Sequence, residues 1–130
     1  MKTRILIVDD DAAFTHHVKR KLEAQGYFEV REEHDGLEAL AAAREFGPDL
    51  VILDVMMPGI DGSDVAVRMK QDALLRDVPV LFMTALVCGR EAPAGSCTSG
   101  GQTFLPKTIP LPTLIDCIER HTRAIVALSA

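Results

Sequence analysis

The chain has 130 residues, 48% hydrophobic and 25% charged, which is typical of a folded domain long enough to bury its own core. Its net charge of −5 would be repelled by nucleic acid, so we expect no direct nucleic-acid partner. No apolar run approaches the roughly 20 residues that a membrane span needs, and the three cysteines lack both metal-site spacing and a signal peptide. We therefore expect one cytoplasmic domain over residues 1–130, with no membrane partner.

The first predicted strand, residues 4–8, is a continuous apolar run that ends in three carboxylates, Asp9, Asp10 and Asp11. An apolar stripe then predicts an amphipathic helix that stops at Gly26; its members are Phe14, Val18 and Leu22. Asp11 suits the N-cap of this helix. Residues 1–64 carry 14 acids against 7 bases, whereas residues 65–130 carry 5 against 7, so a cation site should lie in the first half.

A weaker strand follows over residues 27–33, and then a helix that opens at Asp35 and ends at residues 47–48, Gly-Pro. Residues 50–53 form a short β-branched run that reads as a strand buried on both faces, and this run ends at a lone carboxylate, Asp54. The Pro- and Gly-rich residues beyond it predict a loop. Open α/β sheets bind their ligands at this carboxyl edge, so Asp54 is the first candidate for a functional residue.

A third helix is predicted over residues 63–70, and a fourth buried strand over residues 78–83 ends at Thr84. Residues 86–102 should hold a fourth helix if the alternation continues. They are rich in Gly and Ser and have no apolar stripe, so we expect this helix to be short or irregular.

Residues 103–106 predict a brief last strand ending at Lys107, and Pro106 favours a position at the edge of the sheet. Pro110 and Pro112 then introduce a final amphipathic helix, which should be the longest. Strands that alternate with helices predict right-handed crossovers and a five-stranded parallel sheet covered by helices on both faces.

The predicted fold brings polar side chains from four strand ends to one edge: Asp9, Asp10, Asp54, Thr84 and Lys107. Carboxylates that converge in this way repel one another unless a cation lies between them. A site that offers only oxygen ligands and leaves coordination positions for water suits Mg²⁺. A metal and a lysine beside an aspartate indicate phosphoryl chemistry, in which the carboxylate attacks and the cations neutralise the phosphoryl oxygens.

These residues and their order resemble the receiver domain of two-component response regulators, the family that includes the bacterial chemotaxis receiver. The matching stretches are residues 5–11, 49–62, 83–85 and 104–107, and the resemblance covers essentially the entire chain. It implies a flavodoxin-like, doubly wound sheet of order 2-1-3-4-5. The chain would then be a single receiver domain, either a whole protein or a piece of a longer regulator.

The resemblance also implies the metal and acceptor residues. Asp54 would be the phosphoacceptor. Asp10, Asp54 and the backbone carbonyl of Met56 would bind Mg²⁺ directly, while Asp9 would act largely through water.

Three further residues would carry the signal. The Thr84 hydroxyl and the Lys107 ammonium would contact the phosphoryl group. Phe104 would be a switch aromatic that alters a face made by the fourth helix, the last strand and the last helix. The implied function is phosphorelay signalling from a histidine kinase or phosphotransfer protein to a downstream protein. It involves no enzyme activity beyond the domain's own phosphorylation and dephosphorylation.

One departure from the family lies at Lys107-Thr108, where the family usually has Lys-Pro with a cis bond. A cis bond to a non-proline residue costs about 3 kcal/mol, so either the bond is trans and Lys107 is aimed differently, or strain is stored. This departure and the Gly/Ser-rich segment leave open a pseudo-receiver, a binding module without phosphotransfer.

Two other classes fit less well. A haloacid-dehalogenase-type phosphatase needs a second Asp two residues beyond its nucleophile, where this chain has Met56. A flavodoxin-like electron carrier needs a phosphate-binding loop after the first strand, where this chain has acids that would repel flavin phosphate.

Overall fold

The structure, a computed structural model, describes residues 2–85, 97–99 and 102–129. In chain order its elements are β1 (Thr3–Val8), α1 (Ala12–Glu23), β2 (Phe28–Glu33), a 3₁₀ turn (Gly36–Glu38), α2 (Ala39–Phe46), β3 (Leu50–Asp54), α3 (Gly62–Lys70), β4 (Val80–Thr84), β5 (Cys97–Ser99), β6 (Gln102–Pro106) and α4 (Leu111–Ser129). No helix among these residues is long and apolar enough to cross a membrane.

The sheet contains five parallel strands in the order β2-β1-β3-β4-β6. Counting the parallel strands alone, this is the order 2-1-3-4-5, so the predicted doubly wound, flavodoxin-like fold is confirmed. The central strands pair in register, with Val8 opposite Leu53 and Asp54 opposite Met83. The last residues of β1, β3 and β4 therefore lie side by side at one edge.

The sheet is buried on both faces because its strands alternate between two apolar cores. In β1, Ile5 and Ile7 pack in the core that α1 and α4 cover, whereas Leu6 and Val8 pack in the core that α2 and α3 cover. A strand buried on both sides must be apolar at every position, which explains the continuous apolar run in the sequence.

The last part of the sheet departs from prediction. Cys97–Ser99 form β5, which pairs antiparallel with β6, and Gln102 begins β6. These residues are therefore strand and not helix, in keeping with the weak helix propensity of Cys, Thr and Ser. The rest of the predicted fourth helix, residues 86–96, 100 and 101, lies outside the described residues.

The prediction that the last parallel strand forms the sheet edge is wrong, because β5 covers its outer side. Pairing with β5 extends along β6 only as far as Phe104. Pro106 lies beyond that point, opposite Thr84 of β4. A proline, which has no N–H to donate, is therefore accommodated without costing a bond to β5.

Candidate functional site

The candidate site lies at the carboxyl edge of the sheet, where four parallel strands end. Asp9 and Asp10 follow β1, Asp54 is the last residue of β3, Thr84 is the last residue of β4 and Lys107 follows β6. The backbone N–H of Lys107 donates to the carbonyl of Thr84 at 2.9 Å, which fixes the start of the β6–α4 connection against β4. The sheet itself therefore brings the predicted residues to one place.

Lys107 joins the two buried carboxylates of the site. Its Nζ lies 2.7 Å from Oδ2 of Asp9 and 3.6 Å from Oδ2 of Asp54. Asp9 is 1% exposed and Asp54 is 6% exposed, so one ammonium faces two carboxylates that water barely reaches. Two negative charges against one positive charge leave the buried part of the site with a net negative charge.

Asp9 has one oxygen engaged by the backbone and one directed at the site. Oδ1 accepts a hydrogen bond from the backbone N–H of Asp11 at 3.0 Å. Oδ2 is buried and has the Lys107 ammonium as its ionic partner, but it accepts no hydrogen bond of good geometry from the described residues. A buried carboxylate oxygen with a spare lone pair is suited to a cation or to a water held by one.

Asp9, Asp10 and Asp54 form a possible metal centre. One carboxylate oxygen from each lies within 4.8 Å of the others, with Asp10 exposed at the rim and the other two buried. An all-oxygen donor set with one side open to solvent fits Mg²⁺, which keeps several waters and binds through one or two carboxylates. These residues could therefore hold the predicted ion.

The electrostatics of the site are visible in its pKa values. The pKa of Asp54 is raised to about 6, mainly because the carboxylate is buried and then because Asp9 is close, while Lys107 and the backbone of Met56 oppose the shift. Burial alone would lower the pKa of Lys107, but Asp9 and Asp54 outweigh it and the pKa is raised. Lys107 is thus held in its charged form. A cation bound beside Asp54 would stabilise the ionised form of this carboxylate.

The peptide bond between Lys107 and Thr108 is trans. The Lys107 side chain nevertheless reaches both buried carboxylates, so the trans bond does not aim it away from the site. The turn that follows is closed by a hydrogen bond from the Ile109 N–H to the Pro106 carbonyl at 3.0 Å.

Met56 and Phe104 occupy different surroundings. Met56 is 71% exposed in the loop after β3, and its role as a carbonyl ligand stays a prediction. Phe104 is half-buried on β6 and stacks against Phe82 of β4, with ring centroids 5.1 Å apart and planes inclined by 20°. An aromatic stack between neighbouring strands beside the site is compatible with the predicted switch, which also stays a prediction.

Phe14 contacts the site although it was predicted only as a member of the apolar stripe of α1. The Nζ of Lys107 lies 5.0 Å from the centroid of the Phe14 ring, within the range of a cation–π interaction. Nothing in the local sequence signals this contact, because the two residues meet only when α1 packs beside the β6–α4 connection.

The chain is similar to known proteins in both sequence and structure. A sequence profile described as the response regulator receiver domain matches residues 5–119. The chain belongs to the response regulator receiver family. This receiver is 44% identical to the response regulator PleD of Caulobacter vibrioides over 123 residues, which are 95% of the chain and 27% of PleD.

Solved structures agree with this assignment. The receiver domain of the hybrid histidine kinase CckA is 37% identical, with a TM-score of 0.72 over 92% of this chain and 98% of that one. The chemotaxis response regulator CheY4 of Vibrio cholerae is 27% identical, with a TM-score of 0.76 over 93% of this chain and 99% of that one. Membership of the family implies a part in phosphorelay signalling. The chain spans between about a quarter and a half of the length of the curated relatives that it matches.

Proposed function

We propose that this receiver accepts a phosphoryl group on Asp54, in a Mg²⁺-dependent reaction, from the phosphohistidine of a histidine kinase or phosphotransfer protein. The observation that supports this most directly is the convergence of the Lys107 ammonium on the buried carboxylates of Asp9 and Asp54, at 2.7 and 3.6 Å. A nucleophilic carboxylate, a fixed cation and an acidic metal centre are the parts that transfer to an aspartate requires.

The chemical step begins with Asp54. One of its oxygens attacks the phosphorus in line, the P–N bond of the phosphohistidine breaks, and its electron pair returns to the imidazole, which takes up a proton. The raised pKa of Asp54, about 6, still leaves most of the carboxylate ionised at neutral pH.

Positive charge must neutralise the phosphoryl oxygens as they approach the acidic site. Asp9, Asp10 and Asp54, with the carbonyl of Met56, would hold Mg²⁺, which supplies this charge when bound. Lys107 supplies a second, permanent charge by leaving Asp54 and contacting a phosphoryl oxygen.

Transmission of the signal would depend on Thr84 and Phe104. The Thr84 hydroxyl donates to the phosphoryl group, and its displacement makes room for Phe104 to turn inward from its stack on Phe82. By resemblance to the family, a downstream protein would bind the face that Phe104 alters, made by the family's fourth helix, β6 and α4. The switch is a shift between two packings of the same core, with phosphorylation favouring one of them.

The receiver would turn over no external substrate. Its chemistry is limited to its own phosphorylation and to loss of the phosphoryl group to water. We expect it to act in the cytoplasm, where its donor kinase presents the phosphohistidine.

Titration with beryllofluoride, a stable mimic of a phosphoryl group on aspartate, tests the proposal. Amide chemical shifts are followed with and without Mg²⁺ in the wild type and in Asp54→Asn. We expect saturable, metal-dependent shifts that begin around Asp54 and extend to Thr84, Phe104 and α4, and that are absent in the variant. A folded wild type that does not respond would contradict phosphotransfer and support the pseudo-receiver alternative.

A further inference from the structure

Four residues of the site form a closed chain of contacts that runs through α1. The backbone N–H of Asp11 donates to Oδ1 of Asp9 at 3.0 Å, and the backbone N–H of Phe14 donates to Oδ1 of Asp11, the N-cap of α1, at 3.1 Å. The Phe14 ring lies 5.0 Å from Nζ of Lys107, and that atom lies 2.7 Å from Oδ2 of Asp9. The first turn of α1 therefore contacts the carboxyl edge of the sheet twice, through Asp11 to Asp9 and through Phe14 to Lys107.

The position of the long Lys107 side chain depends on the contacts of its ammonium. A lysine has four rotatable bonds above its Cα, and ordering them costs conformational entropy. The backbone of Lys107 is anchored on Thr84, but this bond fixes only the Cα position. The ammonium itself contacts the two carboxylates and the Phe14 ring, and its side chain is 22% exposed.

We propose that Phe14 is a positioning residue for Lys107, whose ring holds the ammonium in the phosphoryl-binding position. This inference rests on the proposed function, because it concerns the lysine that would bind the phosphoryl group. It assigns to α1 a part in the chemistry of the site in addition to its part in the core.

The choice of an aromatic ring has a physical reason. A third carboxylate could also hold the ammonium, but it would repel an incoming phosphoryl group. The face of a phenyl ring attracts a cation and carries no net charge, so the contact can persist while Lys107 exchanges Asp54 for a phosphoryl oxygen. The attraction is stronger where water is partly excluded, as it is beside Asp9.

Packing of α1 against the core does not require an aromatic ring at Phe14. Val18 and Leu22, on the same stripe, are buried and fill the core, whereas Phe14 is half-buried at its margin. A leucine at this position would preserve the apolar stripe. Phe14→Leu therefore removes the π face with little change in the hydrophobic pattern of the helix.

The first test measures the beryllofluoride affinity at saturating Mg²⁺ in the wild type, Phe14→Leu and Phe14→Tyr. We expect Phe14→Leu to bind about threefold to tenfold more weakly, which is the size of a partly desolvated cation–π contact, and Phe14→Tyr to restore the affinity to within about twofold. Phe46→Leu is the matched control, because it also removes a ring that faces a cation. The Phe46 ring, in α2, has its centroid 5.6 Å from the guanidinium carbon of Arg4, away from the site. Equal affinities for the wild type and Phe14→Leu would overturn the proposal.

A second measurement does not depend on phosphoryl binding. In protein labelled with ¹³C-lysine, ring-current shifts and nuclear Overhauser contacts between the Phe14 ring and the ε-methylene of Lys107 report the contact directly. We expect both in the wild type and a shifted Lys107 resonance in Phe14→Leu. If beryllofluoride did not bind the wild type, the proposed function would fail while these signals still reported the contact. Their absence from the wild type would overturn the positioning role whatever the variants do.

Discussion

The ammonium of Lys107 lies 2.7 Å from an oxygen of Asp9 that is closed off from solvent. This pair links the end of β6 to the end of β1 across the sheet edge. It places a fixed positive charge beside Asp54 before any metal or phosphoryl group arrives.

Lys107→Met should destabilise the metal-free protein by about 3 kcal/mol, because it leaves the buried carboxylates of Asp9 and Asp54 without a counter-charge. Urea denaturation at pH 7 with a chelator measures the free energy of unfolding. Lys70→Met, at an exposed position of α3, is the control and should change it by less than about 0.5 kcal/mol. Unchanged stability in Lys107→Met would mean that the ion pair is not formed in solution.

Asp54→Asn should stabilise the metal-free protein increasingly as pH rises. The pKa of Asp54 is about 6 in the folded chain against an ordinary 3.8, so the folded state binds the proton more tightly. The contribution of protonated Asp54 to the free energy of unfolding is therefore fully present below about pH 4 and is lost as pH rises through about 6. Above pH 7 the variant should be more stable by about 2 kcal/mol.

Urea denaturation at pH 4.5 and 7.5 checks this pH dependence. Asp64→Asn, an exposed carboxylate in the first turn of α3, is the matched control. A difference between the wild type and Asp54→Asn that stayed constant across the two pH values would refute the buried, raised-pKa carboxylate.

Met56→Glu should shorten the lifetime of the phosphoryl group on Asp54. The exposed Met56 side chain has no polar atom to orient an attacking water, whereas a carboxylate at this position could accept its proton. We expect loss of the phosphoryl group to become about threefold to tenfold faster, and Met56→Leu to match the wild type. Decay of the radiolabelled phosphoprotein is the measurement, and a wild-type lifetime no longer than that of the glutamate variant would count against this idea.

Gly62→Ala should lower the free energy of unfolding and weaken beryllofluoride binding at the site. A Cβ at this position would lie 2.2 Å from the carbonyl oxygen of Asp54, and the Gly62 N–H donates to Val55 at 2.9 Å. The loop after β3 would have to move, at a cost of about 1 to 3 kcal/mol and with weaker beryllofluoride binding. Ser63→Ala, exposed in the same turn, is the control; similar behaviour of the two variants in thermal unfolding would contradict the close approach.

The residues at the carboxyl edge of the sheet can be predicted from the sequence, because the pattern that marks each strand end is local and recurs along the chain. Three parallel strands, β1, β3 and β4, contain continuous apolar runs, and each of these runs ends at a polar residue such as Asp54 or Thr84. Once the strands are parallel, their carboxyl ends must share an edge, so Lys107 and Asp9 meet although they are far apart in the chain.

The missed features depend on tertiary packing or on weak local preference. Phe14 fits an apolar stripe whether or not a lysine lies above it. Gly62 looks like part of a loop, but it is the first residue of α3, where the backbone of Asp54 leaves no space for a Cβ. The strand β5 has three residues, too few for a pattern of period two to be recognised.

That short strand affects how the domain behaves at high concentration. An outermost parallel strand presents a row of free backbone groups to which another chain can add. Here β5 covers β6 along much of its length, and the opposite outermost strand, β2, carries Glu29, Arg31 and Glu33. Among the described residues, neither margin of the sheet offers a long apolar template, so extension of the sheet from β2 or β5 into another molecule is disfavoured.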